Sequence, residues 1–108
     1  MTSQSAIIPY HIALITGGSS GIGLASAKLL AQQGCHVWLA ARREELLKSA
    51  VSQLEALRIS PDQIFGFTQA DLSNPEQVLK VTNQVTLAVG MPDLLINSAG
   101  IVEPGRFT

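Results

Sequence analysis

The chain has 108 residues, enough for one domain; 46% are hydrophobic and 14% charged, with a formal net charge of −1. Such a balance describes a globular, rather apolar domain and argues against a surface built for nucleic acid or another polyanion. Its single cysteine, Cys35, excludes an internal disulfide, no Cys/His cluster has metal-ligand spacing, and no apolar run approaches the roughly 18 residues of a membrane span.

Residues 1–5 read as a loose tail without the basic region and cleavage signal of a secretory peptide, so a soluble, cytoplasmic protein is expected. Residues 11–16 read as the first strand, with Ile12, Ala13, Leu14 and Ile15 apolar on both faces as in a buried parallel strand. A glycine-rich turn follows, then a helix over residues 21–33 with Ile22, Ala25 and Leu29 as its inner stripe and Gly34 as its stop. Residues 35–41 read as the second strand, with Val37, Trp38 and Leu39; Cys35 opens it as a small buried hydrophobe rather than a reactive thiol. Residues 44–58 carry a strong helical period at Leu47, Ala50, Val51 and Leu54.

Ser60-Pro61-Asp62 is a turn, and residues 64–68 read as the third strand. Asn74, Pro75 and Glu76 form an N-cap, a first-position proline and a first-turn acid. Val78, Thr82, Val85 and Val89 then mark a third helix, stopped by Gly90 and Pro92. Residues 94–97 read as the fourth strand and residues 98–108 as loop. The order βαβαβαβ implies an α/β domain spanning residues 1–108, a Rossmann-type parallel sheet of strand order 3-2-1-4 with helices on both faces. Ile12, Leu14, Leu94 and Ile96 belong to a sheet whose second face only the third helix shields, so the 108 residues by themselves are expected to self-associate.

The turn between first strand and first helix, Thr16-Gly17-Gly18-Ser19-Ser20-Gly21-Ile22-Gly23, is the stretch around which the chemistry is organised. Strand, glycine turn and helix is the setting in which such glycines bind a dinucleotide. Gly17 permits the sharp reversal, Gly18 and Gly21 let a pyrophosphate approach the backbone, and Gly23 lets helix and strand pack closely. The N–H groups at the start of the helix then face the anion. The spacing is not that of a P-loop, since Leu24 and Ala25 stand where Lys and Ser/Thr belong.

Cofactor choice is read at the end of the second strand. An NAD-binding unit places an acid there for the ribose 2′-hydroxyl, about 20 residues past the glycines. Here the position is Ala41, followed by Arg42 and Arg43. Arginine pairs with a 2′-phosphate that an acid would repel, so NADP(H) is the expected cofactor, with Arg42 as the clamp and Arg43 in reserve. The other reading of the pair is a solvated helix start. Ser19 and Ser20 either donate hydroxyls to the phosphate or ribose or only shape the turn.

Thr-Gly-x-x-x-Gly-Ile-Gly after an N-terminal strand, Asp71-Leu72 after the third strand, and Asn97-Ser98-Ala99-Gly100 at the end of the fourth together resemble the short-chain dehydrogenase/reductase family. The resemblance covers residues 11 to about 107. It implies that Asp71 hydrogen-bonds the adenine amino group and Leu72 lies along the ring; on its own, Asp71 reads equally well as a turn residue. It implies that Asn97 ties strands together and that Ala99 and Gly100 lie against the nicotinamide-side ribose. The family's motif has Asn where Ser98 stands. Within the family the motifs look most similar to 3-ketodihydrosphingosine reductases, although the basic residue anticipated in the helix after Arg42 is Leu46 here.

Members of the family reduce carbonyls with a Tyr-x-x-x-Lys pair and an upstream Ser, all beyond the fourth strand. Tyr10, the one tyrosine, precedes the first strand and has Leu14 at the lysine position, so no catalytic residue is assigned in this chain. The resemblance implies the cofactor-binding half of a longer NADPH-dependent reductase, inactive as a fragment, homo-oligomeric when whole, with a small carbonyl or alcohol substrate. Two other readings remain: a non-catalytic NADP(H)-binding module, and a methyltransferase-like domain, which would want an acid at Ala41.

Overall fold

The computed structural model describes residues 11–17, 19 and 21–98. The described elements run β1 (Ile12–Thr16), α1 (Gly21–Gln32), β2 (His36–Ala41), α2 (Glu44–Glu55), β3 (Phe65–Gln69), α3 (Pro75–Ala88) and β4 (Leu94–Asn97). The strands form one parallel sheet in the order β3-β2-β1-β4. The tail of residues 1–5, Tyr10, Gly18, Ser20 and the loop from Ala99 onward lie outside the described residues.

Successive residues of β1 serve opposite faces, which is why the run is apolar throughout. Ile15 joins Val37 and Leu39 beneath α1 and α2, whereas Leu14 joins Ala40 beneath Val81 and Val85 of α3. Parallel strands covered on both faces need this unbroken apolar character. Strands stepping from β1 through β2 to β3 by right-handed crossovers put α1 and α2 on one face, and the return to β4 puts α3 on the other.

The inner stripe of α1 differs from the sequence expectation. Ile22 and Leu29 are exposed, at 79% and 64%, and Ala25 is exposed too. The buried residues are Gly23, Ala27 and Ala31, flanked by the half-buried Leu24 and Leu30. Small residues face the sheet, and the large ones stand at the sides. On α3 the stripe is also rotated: Val81 and Val85 are buried, whereas Val78 is 44% exposed and the Thr82 hydroxyl donates to the Val78 carbonyl.

α2 ends at Glu55, before the anticipated position 58. The Arg58 guanidinium turns back instead, donating to Glu55 and to the carbonyls of Ser60, Pro61 and Gln63. The cap of α3 is as anticipated: the Asn74 side chain accepts from the N–H of Glu76 at 2.9 Å, with Pro75 at the first turn. β3 begins at Phe65, paired with Val37.

Cys35 lies just before β2, and burial first, with Asp93 second, pushes its thiol up from the ordinary value. That environment suits a small hydrophobe. In register, Leu94 and Ile96 stand beside Ala13 and Ile15, on the α1 face; Leu95 stands beside Leu14 on the thinly covered face and is 63% exposed. No helix among the described residues is long and apolar enough to cross a membrane.

Candidate functional site

The carboxyl ends of β1, β2 and β3 converge on one groove. Gly17 takes a φ of 74°, and its N–H donates to the Ala40 carbonyl at 2.6 Å, so the chain leaving β1 turns across the end of β2. Gly21 opens α1 at a φ of 61°, a conformation that a residue with a side chain rarely adopts. A β-carbon there would meet no described atom within 4 Å, so the space over the helix start is open. The first turn of α1 carries no acid to compete with an incoming anion.

Behind the turn, β4 holds β1 by three groups. The Ser98 N–H donates to the Thr16 carbonyl at 2.9 Å, and the Ser98 hydroxyl donates to the same carbonyl at 2.8 Å, with the Gly17 carbonyl 3.2 Å away. The Thr16 hydroxyl donates to Asn97 Oδ1 at 2.9 Å. Sequence reasoning missed both hydroxyls. Ser98 stands where the family has a second Asn, and a short hydroxyl there buttresses the glycine turn directly.

The groove, about 550 Å3, is lined by Gly17, Ser19, Ala41, Arg42, Arg43, Leu46, Ala70, Asp71, Leu72 and Ser73. It therefore unites the glycine turn, the arginine pair and the Asp-Leu pair. Ile22 and Asn97 are exposed and, with Gly21 and the buried Gly23, lie outside that lining. Leu46 occupies the place anticipated for a base, beside both arginines. A second hollow of about 330 Å3 lies across Arg42, lined by Gln69, Ala70, Asp71, Gln77 and Lys80 as well.

Asp71 uses Oδ1 to accept from the Ser73 hydroxyl at 2.7 Å and the Ser73 N–H at 3.1 Å. The Ser73 hydroxyl first, then its N–H, with Arg42 a smaller contributor, hold this carboxyl below the usual range, so it is charged at neutral pH. Asp71 is thus a turn residue whose carboxylate also faces the groove. Two guanidinium groups against one carboxylate leave the lining with net positive charge. Among the described residues, no tyrosine or lysine lines this groove and no group of three or more His, Cys, Asp or Glu could hold a metal.

The description of short chain dehydrogenases matches residues 11–108. The chain belongs to the short-chain dehydrogenase/reductase family. It is 38% identical over 98 residues to the PIGF/3-ketodihydrosphingosine reductase fusion protein of Schizosaccharomyces pombe, covering 91% of this chain and 19% of that protein. Its fold is similar to that of L-sorbose reductase from Gluconobacter frateurii, solved with NADPH and L-sorbose, with a TM-score of 0.81 and 34% identity over 93% of this chain and 37% of that one. It is similar too to an NADPH-bound short chain oxidoreductase of Pseudomonas aeruginosa PAO1 with an atypical catalytic center, with a TM-score of 0.77 and 34% identity, covering 86% of this chain and 37% of that one. The chain spans from 19% to 38% of the length of the curated relatives it matches.

Proposed function

We propose that this chain is the NADP(H)-binding Rossmann domain, residues 1–108, of a longer reductase that transfers hydride to the carbonyl of a small molecule. The observation that carries the reading is the placement of Arg42 and Arg43, beside an acid-free Ala41, in the same groove as Gly17 and Ser19. Gly17 and Gly21 shape the pyrophosphate site, with Ser19, Ser20 and the exposed Ile22 at its edge, and the buried Gly23 lets α1 pack closely behind it. Arg42 clamps the 2′-phosphate, with Arg43 beside it. Asp71 and Leu72 receive the adenine, Ala99 and Gly100 receive the nicotinamide-side ribose, and Asn97 ties β4 to β1 beside them. The open space over Gly21 and the positive lining fit such a dinucleotide.

When bound, the nicotinamide supplies the hydride. These residues bind and orient the cofactor; the proton donor of a Tyr-x-x-x-Lys pair belongs to another part of the reductase. The substrate is a ketone or, in reverse, an alcohol. The relative named as a 3-ketodihydrosphingosine reductase makes a long-chain 3-ketone the candidate to test first. The whole enzyme is a cytoplasmic homo-oligomer. A second reading is a non-catalytic NADP(H)-binding module, which the same positively charged groove lining would serve equally well.

The test is to titrate the full-length protein and its Arg42→Ala variant with NADPH and NADH. NADPH binding should weaken by about 1.5–3 kcal/mol, roughly ten- to a hundredfold, with NADH nearly unchanged. Equal losses for both cofactors would remove Arg42 from the clamp. Tight NADPH binding by a full-length protein that turns over no ketone would favour the non-catalytic module.

A further inference from the structure

Arg42 is exposed, so little packing holds its side chain, and the backbone beneath it fixes only where that side chain sets out from. That backbone is held on both sides. The Ala70 N–H donates to the Ala41 carbonyl at 2.8 Å, the last rung between β2 and β3. The Leu47 N–H donates to the Arg43 carbonyl at 3.1 Å, where α2 begins. Between the two stands the carbonyl of Arg42, past the end of the ladder and ahead of the helix. The Gln69 side-chain amide takes it, Nε2 donating at 3.0 Å. Gln69 is itself tied down: it stands opposite Ala41 in register, and Lys80 Nζ donates to its carbonyl at 3.1 Å. Arg42 lines both hollows, so a loosened backbone could let its side chain drift away from the groove toward Gln77 and Lys80.

We infer that Gln69 is a positioning residue for cofactor choice, its amide extending the β2–β3 ladder by one rung so that Arg42 is presented to the 2′-phosphate. This rests on the NADP(H) reading above. Gln69 touches the backbone of the clamp and acts on NADPH through Arg42; it does not act on NADH, which has no 2′-phosphate to hold.

Gln69→Met keeps the length of the side chain and removes the donor. In the full-length protein it should weaken NADPH binding about three- to tenfold and leave NADH within about twofold, as expected for one exposed hydrogen bond acting through one contact. In an Arg42→Ala background the same substitution should change NADPH binding no further, because two residues acting through one contact are not additive. Circular dichroism and thermal unfolding of each variant show that the protein being titrated is folded. An equal loss for both cofactors, an unchanged NADPH affinity, or the same loss with and without Arg42 overturns the inference. If Arg42→Ala alone shows no selective loss, the clamp reading fails and Gln69 falls with it, an outcome read from that single variant before Gln69 is touched.

Discussion

Thr16 and Asn97 join the first and fourth strands side chain to side chain, the Thr16 hydroxyl donating to Asn97 Oδ1 at 2.9 Å. The two are partners in the parallel register, one residue before the glycine turn and at the last position of β4. Thr16→Val keeps the branched shape that strands favour and removes the donor. Unfolding by urea should show a loss of about 0.5–1.5 kcal/mol, the net value of one hydrogen bond. A double-mutant cycle with Asn97→Ala should show coupling; strict additivity would mean that the bond contributes nothing.

Gly66 lies under the ring of Trp38, and a β-carbon added there would stand 2.7 Å from Cη2. The ring cannot easily step aside, because Trp38 Nε1 donates to the Thr68 hydroxyl at 2.9 Å and that hydroxyl donates to Gln84 at 2.7 Å. Gly66→Ala should therefore cost about 1–3 kcal/mol, as overpacking does, despite adding one methyl group. Trp38 is the only tryptophan, so its emission reports the change locally while the urea midpoint reports it globally. An unchanged midpoint would show that the ring moves at no cost.

Leu46 faces the groove next to Arg42 and Arg43 and is 37% exposed. Leu46→Lys would add a third cation at the phosphate end while giving up little buried surface. Lysine near a helix start opposes the macrodipole by about 0.3–1 kcal/mol, so stability should fall slightly. NADPH affinity should rise about three- to tenfold, with NADH nearly constant, because a charge-assisted contact to phosphate outweighs that loss. Calorimetric titration with both cofactors measures the ratio; tighter binding of both by the same factor would show a general attraction to anions instead.

Asp93 caps the start of β1. Its Oδ1 accepts from the Ile12 N–H at 2.9 Å and the His11 N–H at 3.1 Å. The Ile12 bond first, with His11 behind it, holds this carboxyl below its ordinary value. A depressed carboxyl stabilises the fold at pH values above the unfolded value of about 3.9, and that contribution is lost as pH falls through the folded value. Asp93→Ala should thus be less stable than the parent at pH 7, and the gap should close as pH drops below about 4. Urea midpoints at pH 7, 5, 4 and 3 check this; a gap that persists unchanged at pH 3 would assign the effect to something other than the charged carboxylate.

The order of elements, the parallel sheet and the placement of Gly17, Arg42 and Asp71 at strand ends were legible in the residues, because each depends on local pattern. Apolar runs without alternation demand cover on both faces, glycines mark the turn, and the Rossmann reading of that turn supplies the strand order. The face that α1 buries was not legible. Ile22 and Leu29 outweigh Gly23, Ala27 and Ala31 in hydrophobicity, yet the small residues are the ones that pack against the sheet, and which face meets it is a property of the packed layers. The same holds for the groups that brace the site. Ser98 meets Thr16 across 82 positions of sequence and Gln69 meets Arg42 across 27, pairings of ordinary polar residues that carry no local signal. Only the register of β4 on β1 and of β3 on β2 brings them within hydrogen-bond reach, which is why tertiary structure decided how the groove is held while sequence decided what lines it.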